Sequence, residues 1–194
     1  METRPVNRFQ RRKERTRRQL KESALALILE KGYDAITIDN IVGRADVGKG
    51  TFYLHFKDKE TLVWEILLEG LDAVKQEADR WYRERPNMVF YGFLVSFEYA
   101  AKNQDLFRIM LGSHGQAMLT QRVKQYLAEE IEREVEAQTV FPEMDLPPRF
   151  IGQYLAGALT QTLIWWIETP NDYTPSQMAK MFYHMVFWQP YAEN

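Results

Sequence analysis

At 194 residues with 45% hydrophobic side chains, the chain can form one large domain or two small ones and build a substantial core, which excludes disorder throughout. Cysteine is absent, excluding a disulfide framework and thiolate metal sites and fitting a reducing, cytoplasmic location. No apolar run approaches the roughly 18 residues of a membrane span, and the arginine-rich N-terminus lacks the apolar stretch of a signal peptide, so no membrane partner is expected. The net charge of −2 conceals two halves of opposite sign. Residues 1–60 carry 14 Lys and Arg against 9 Asp and Glu, net +5, whereas 61–194 carry 11 against 18, net −7. A basic N-terminal module points to a polyanionic partner, with a solvated basic tail as the alternative.

Every sustained periodicity is helical, which predicts an all-α fold. The first 15 residues read as a flexible basic arm with Arg4, Arg8, Arg11, Arg12, Lys13 and Arg15. From about Thr16 to Lys31, Leu20, Ala24, Leu27 and Ile28 recur at helical spacing, and Gly32 follows as a stop. Thr37 then serves as N-cap of a short helix through Ile38, Ile41 and Val42 to about Ala45. A turn at Asp46-Val47 leads to a third helix, about Gly48 to His55.

Asp58 caps a fourth helix that continues through Leu62, Ile66, Leu71 and Val74 towards Trp81 and stops before Pro86. Residues 87–102 are apolar nearly all round, implying burial, with Glu98 as the only carboxylate. A short helix near Asp105–Leu111 ends at Gly112. Leu119, Val123, Leu127, Ile131 and Val135 then form an i+4 stripe on a seventh helix, whose other face, including Glu129, Glu130, Glu132, Arg133, Glu134 and Glu136, reads as solvated. Pro147-Pro148 opens an eighth helix from Arg149 to Glu168 and Pro175 a ninth to Gln189, with proline at the first turn. The domain division expected is an arm over 1–15, a three-helix module over 16–57 and a six-helix domain over 58–194.

Helices two and three are short, separated by a tight turn and followed by Phe52-Tyr53-Leu54-His55-Phe56-Lys57. In a helix-turn-helix the second of two such helices enters the major groove and its first residues reach base edges. Lys49 can donate to guanine, Thr51 can bond a base edge or phosphate, and Gly50 permits close backbone approach. Thr37, Tyr53, His55 and Lys59 are placed to contact phosphates, as are Arg17 and Arg18 near the arm. Phe52 and Phe56 are expected in the core. A near-match to a phosphate-binding loop, Gly43 to Lys49, fails because Gly50 stands where Ser or Thr should hold magnesium and because a helix precedes it instead of a strand. His55, His114 and His184 are scattered, so no metal site, cofactor or catalytic residue is assigned and an enzyme is not expected.

Over Leu20–Leu62 these features resemble the DNA-binding domain of the TetR family. The resemblance is carried by Glu30-Lys31-Gly32-Tyr33, by Thr37-Ile38-Asp39-Asn40-Ile41, and by the run from Val47-Gly48-Lys49-Gly50-Thr51 through Phe52-Tyr53-Leu54-His55-Phe56 to Lys57-Asp58-Lys59-Glu60. It places Lys49, Gly50 and Thr51 near bases, and Thr37, Tyr53, His55 and Lys59 on the backbone. Two positions depart from the family pattern. Asp46 replaces the usual turn glycine, which calls for a left-handed residue that Asp tolerates, and Gly48 replaces the usual Ser or Thr cap of helix three.

What the resemblance implies is a repressor released from a palindromic operator by a small-molecule inducer, with an activator or architectural protein lacking an inducer as the alternative. It also implies a homodimer through the last two helices, where Gly152, Ala156, Gly157 and Ala158 lie among apolar residues and Met178, Met181, Phe182, Met185 and Trp188 recur at helical spacing. A hydrophobic or aromatic inducer is expected in the C-terminal domain, lined by Phe93, Phe97, Phe107, Met110, Met118 and Trp165, with Glu98 or Glu168 orienting a polar group.

Overall fold

The computed structural model describes residues 8–84, 88–111, 117–138, 140–141 and 145–187, the side chains of 81–84, 88 and 109–111 excepted. Among these, every regular element is a helix. The elements are α1 (Arg8–Lys31), α2 (Ile38–Arg44), α3 (Lys49–Tyr53), α4 (Lys59–Glu84), α5 (Met88–Lys102), α6 (Gln104–Leu111), α7 (Ala117–Glu136), α8 (Pro148–Glu168) and α9 (Pro175–Phe187). The fold is all-α, with a small N-terminal helical module and a larger C-terminal one.

Helix α1 begins at Arg8, well before Thr16, so residues 8–15 of the segment read as an arm are helix, while Arg4 lies outside the described residues. Arg, Lys, Gln and Glu are strong helix formers that need no buried face to extend a helix already anchored further along. That anchor is the buried set Leu20, Ala24, Leu27 and Ile28. Gly32 ends the helix at φ +80°, its N–H donating to the Ile28 carbonyl at 2.7 Å, a left-handed closure that favours glycine.

Thr37 caps α2 as the sequence suggests, and Asn40 completes a reciprocal box: the Asn40 N–H donates to Thr37 Oγ1 at 3.2 Å and the Thr37 N–H to Asn40 Oδ1 at 3.0 Å. Asp46 adopts φ 52°, the left-handed turn conformation expected of it. Gly48 caps α3 without a side-chain bond. The third helix is shorter than 48–55 because Leu54 closes it and the His55 N–H folds back to the Phe52 carbonyl at 2.9 Å. Asp58 starts α4 by accepting from the Thr61 N–H at 2.7 Å.

Two compact units divide the chain inside α4, one reaching to Leu68 and the other starting at Glu69. The first turns of α4 go with the N-terminal unit because they bury Leu62, Val63, Ile66 and Leu67, and that core also holds Leu20, Ile41, Phe52 and Phe56. In the second unit the α7–α8 pair packs closest. A Cβ built on Gly152 would stand 2.5 Å from the Ala128 carbonyl oxygen, so this position admits only glycine at the observed helix separation. Elsewhere in this unit, α5, α8 and α9 share an aromatic core in which the Phe93 and Phe182 rings meet edge-on at 4.7 Å and Phe97 meets Trp166 at 5.6 Å.

Candidate nucleic-acid interface and cavity

The surface at α3 follows from which of its residues are consumed by the core. Phe52 and Phe56 are buried, their rings 5.8 Å apart, and this fixes the rest of the segment. Lys49, Gly50, Tyr53 and Leu54 are left exposed, with Thr51 half-buried. A Cβ on Gly50 would meet nothing within 4 Å, so this glycine answers no internal packing demand and leaves open space before the backbone. The Tyr53 ring rests edge-on against Phe52 yet is 54% exposed. Leu54 is 77% exposed, an apolar side chain on a surface otherwise polar and basic.

Lys49 extends to Asp39 at the start of α2, with Nζ 2.9 Å from Oδ1, and that hydrogen bond raises the ammonium pKa. Both partners are exposed, so the pair is weak and a base edge or phosphate can compete with Asp39 for the ammonium. The Thr37 hydroxyl is exposed but occupied in the capping box. Arg18 is exposed and 3.6 Å from Glu22 one turn on, and Arg8, Arg11, Arg12, Lys13 and Arg15 are also exposed on α1.

Two cations expected at phosphates are turned inward instead. Arg17 donates to the His55 carbonyl at 2.8 Å, pairs with Glu65, and stands 4.4 Å over the Phe56 ring. The Lys59 ammonium donates to the Tyr33 and Ile36 carbonyls, each at 2.8 Å, and lies 4.1 Å over the Tyr33 ring. Both satisfy carbonyls that the turns leave without helical partners, a demand that outranks a distant phosphate. Burial lowers the Lys59 pKa, opposed by Asp34. His55 is half-buried; its Nδ1 is buried and makes no hydrogen bond among the described residues. Burial first, then Arg17 and Lys13, hold its pKa below the usual histidine value of 6.5, so the ring is neutral at pH 7.

Among the described residues expected to line a pocket, Phe93 alone reaches a cavity of about 130 Å³ in the second unit, whose walls come from α4, α5, α7 and α8. Phe97 is fully buried in the aromatic core, Phe107 is buried beside Tyr99, and Glu98 is half-buried on α5. Met118 and Trp165 are exposed, because they fall on the outer faces of α7 and α8. Glu168 lines a separate polar depression of about 360 Å³ with Arg108 and Tyr173. The Met110 side chain and Trp188 lie outside the described residues.

The cavity instead recruits residues read as a solvated face. Glu130 and Glu134 line it with Tyr126, Lys75 and Asp79, and are half-buried. Lys75 pairs with Glu130, and the Tyr126 hydroxyl donates to Asp72 at 3.0 Å, so both contacts bridge α4 and α7. The signal was in the register: 126, 130 and 134 run one step beside 127 and 131 of the apolar stripe, at the margin where a helix face turns from solvent to interior. Among the described residues no group of three or more His, Asp or Glu is placed to hold a metal ion, and no helix is long and apolar enough to cross a membrane.

Comparison with known proteins matches residues 20–66 to the pattern of bacterial regulatory proteins of the tetR family, and residues 89–187 to a transcriptional regulator C-terminal region of the TetR_C_8 type. The transposon Tn10 TetC protein of Escherichia coli is 52% identical over 48 residues, 25% of this chain and 24% of that protein, so the chain spans about a quarter of the length of this curated relative. The structure described as that of a TetR-family transcriptional regulator from Syntrophomonas wolfei superposes with TM-score 0.75 at 22% identity, covering 90% of this chain and 95% of that one. FadR from Bacillus subtilis, solved with stearoyl-CoA, gives TM-score 0.66 at 18% identity over 87% and 96% of the two chains. The two structural likenesses establish a shared fold.

Proposed function

The chain belongs to the TetR family of bacterial regulatory proteins, and on that premise we propose that it is a sequence-specific DNA-binding transcriptional regulator, a cytoplasmic homodimeric repressor released from a palindromic operator by a small-molecule inducer. The observation that carries the reading is the α3 surface, where buried Phe52 and Phe56 hold Lys49, Gly50, Tyr53 and Leu54 outward. Lys49 leaves Asp39 to donate to a base edge, Thr51 bonds beside it, and the open space at Gly50 lets the backbone approach. Tyr53, Thr37, Arg18 and the basic start of α1 supply the phosphate contacts that orient the module, and neutral His55 contributes at most one N–H. Arg17 and Lys59 hold this surface in shape from behind.

Dimerisation is supported by the outer side of α8 and α9, where Phe150, Tyr154, Trp165, Met181 and Met185 are exposed large apolar residues on two consecutive helices. A two-fold pair of α3 surfaces reads half-sites separated by a whole number of helical turns. The inducer site is the cavity walled by α4, α5, α7 and α8, whose lining is largely apolar. Coupling runs through α4, which carries Lys59 and Glu65 of the first unit and Lys75 and Asp79 of the second. Linkage requires that an inducer weakening DNA binding by some factor be itself bound more weakly by that factor in the presence of operator. Equilibrium titrations of inducer with and without saturating operator test this: equal inducer affinities contradict the mechanism.

A further inference from the structure

We infer that Leu54 is a specificity-determining residue, packing on the 5-methyl group of a thymine in each half-site. This rests on reading the α3 surface as the face that enters the major groove, and it adds what the aliphatic side chain of that face recognises. Helical geometry continues through Leu54 (φ −71°, ψ −17°), whose N–H donates to the Gly50 carbonyl at 3.2 Å. Two residues amount to about 200° of helix, so Leu54 stands across α3 from Phe52, which the core claims, and is left 77% exposed. A lone exposed leucine is ordinary on a protein surface. This one lies one turn beyond Gly50, on the same strip of the helix. Apart from its two chain neighbours, no residue brings an atom within 4 Å of a Cβ built on Gly50. Space is therefore open beside the backbone there, and the next turn beyond it carries Leu54 and the Tyr53 ring, itself edge-on against Phe52.

Chemistry selects what fills that space. Lys49, Thr51 and Tyr53 carry groups that bond a base edge or a phosphate, whereas a leucine side chain can do neither. Laid on a phosphate, it would strip water from the anion and return no hydrogen bond. The apolar group on the major-groove edges of the bases is the thymine 5-methyl, and covering it removes apolar surface of both partners from water. Position follows from the helix. Leu54 lies five residues beyond Lys49, about 7.5 Å along the axis, which is about two base-pair steps of duplex. The thymine is therefore placed about two base pairs from the base that Lys49 meets.

The test uses the duplex that the full protein selects from random sequences. Each thymine in turn is replaced by uracil in both half-sites, which removes the methyl and keeps every hydrogen-bonding group, and affinity is read by fluorescence anisotropy. One symmetric pair, within about three base pairs of the position at which Lys49→Ala relaxes preference, is expected to lose about fourfold for each methyl, about fifteenfold for the pair. In Leu54→Ala the same replacement should cost about twofold or less, and Leu54→Met, which keeps an apolar side chain, should restore most of the penalty. Because the side chain is largely exposed, Leu54→Ala should unfold at the same urea midpoint as the wild type. An equal uracil penalty in Leu54→Ala places the methyl on another residue and overturns the assignment. A penalised thymine beyond that span overturns it too. Selection of no motif refutes α3 as the base-reading face and the role of Leu54 with it. A motif whose uracil duplexes all bind as tightly as the parent duplex leaves that reading standing and refutes the role of Leu54 alone.

Discussion

Replacing Lys59 by Met separates a cation that shapes the DNA-binding surface from one that touches DNA. Methionine keeps an unbranched stem but loses the ammonium, and with it two hydrogen bonds of 2.8 Å to the Tyr33 and Ile36 carbonyls and the contact 4.1 Å over the Tyr33 ring. A hydrogen bond to a charged group contributes about 1.5–3 kcal/mol net when its partner is left unsatisfied, and the ring contact about 0.5–1 kcal/mol at a part-exposed site. The site is half-buried, so water recovers part of the loss at both carbonyls. A destabilisation of about 2–3 kcal/mol remains. With a urea dependence of about 2 kcal/mol per molar, the midpoint of the N-terminal unit's transition should fall by about 1 M. Because the ammonium sits on carbonyls and neutralises no phosphate, the slope of log affinity against log salt on a nonspecific duplex should be unchanged. An unchanged midpoint together with a slope smaller by about 0.9 would show that Lys59 reaches a phosphate and would refute the reasoning.

Gly152→Ala places a Cβ 2.5 Å from the Ala128 carbonyl oxygen, and forcing α7 and α8 apart should destabilise the second unit by about 1–3 kcal/mol, read from thermal unfolding. His55 titrates near 6.5 when unfolded and lower when folded. As pH falls through 6.5 the unfolded state binds a proton that the folded state does not, so stability declines until the folded value is passed. Urea midpoints between pH 7 and 5 should therefore fall more steeply for the wild type than for His55→Gln, and parallel curves would count against a depressed histidine. Replacing Arg11, Arg12 and Lys13 by Ala, on an exposed stretch of α1, should weaken binding to all duplexes alike and lower the salt slope by about 0.9 for each phosphate no longer neutralised, without moving the unfolding midpoint.

The helices were legible because caps and stripes are local. Thr37, Asp58, Gly32 and the Pro147-Pro148 pair mark their ends, and Asp46 announced its own left-handed turn. The start of α1 was less legible, since Arg8–Arg15 has no apolar period to reveal a helix that is solvated on every side. The fate of Arg17 and Lys59 was not legible: a cation in a basic module is a phosphate contact by composition, and only the tertiary fold shows that carbonyls 38 and 26 residues away claim it first. The cavity was missed for a related reason. Large aromatics such as Phe97 suggested a pocket but fill the core, whereas Tyr126, Glu130 and Glu134 sit at the margin of α7's apolar stripe, and their role depends on α4 bringing Asp72, Lys75 and Asp79 opposite them.

The central claim, that the α3 surface of a two-fold dimer reads specific duplex DNA, is tested most directly by selecting bound sequences from random duplexes with the full protein and with Lys49→Ala. A palindromic motif of two half-sites is expected, with base preference relaxed at one position in each half-site in the variant. Recovery of no enriched motif, or of the same motif with undiminished preference from Lys49→Ala, would contradict it.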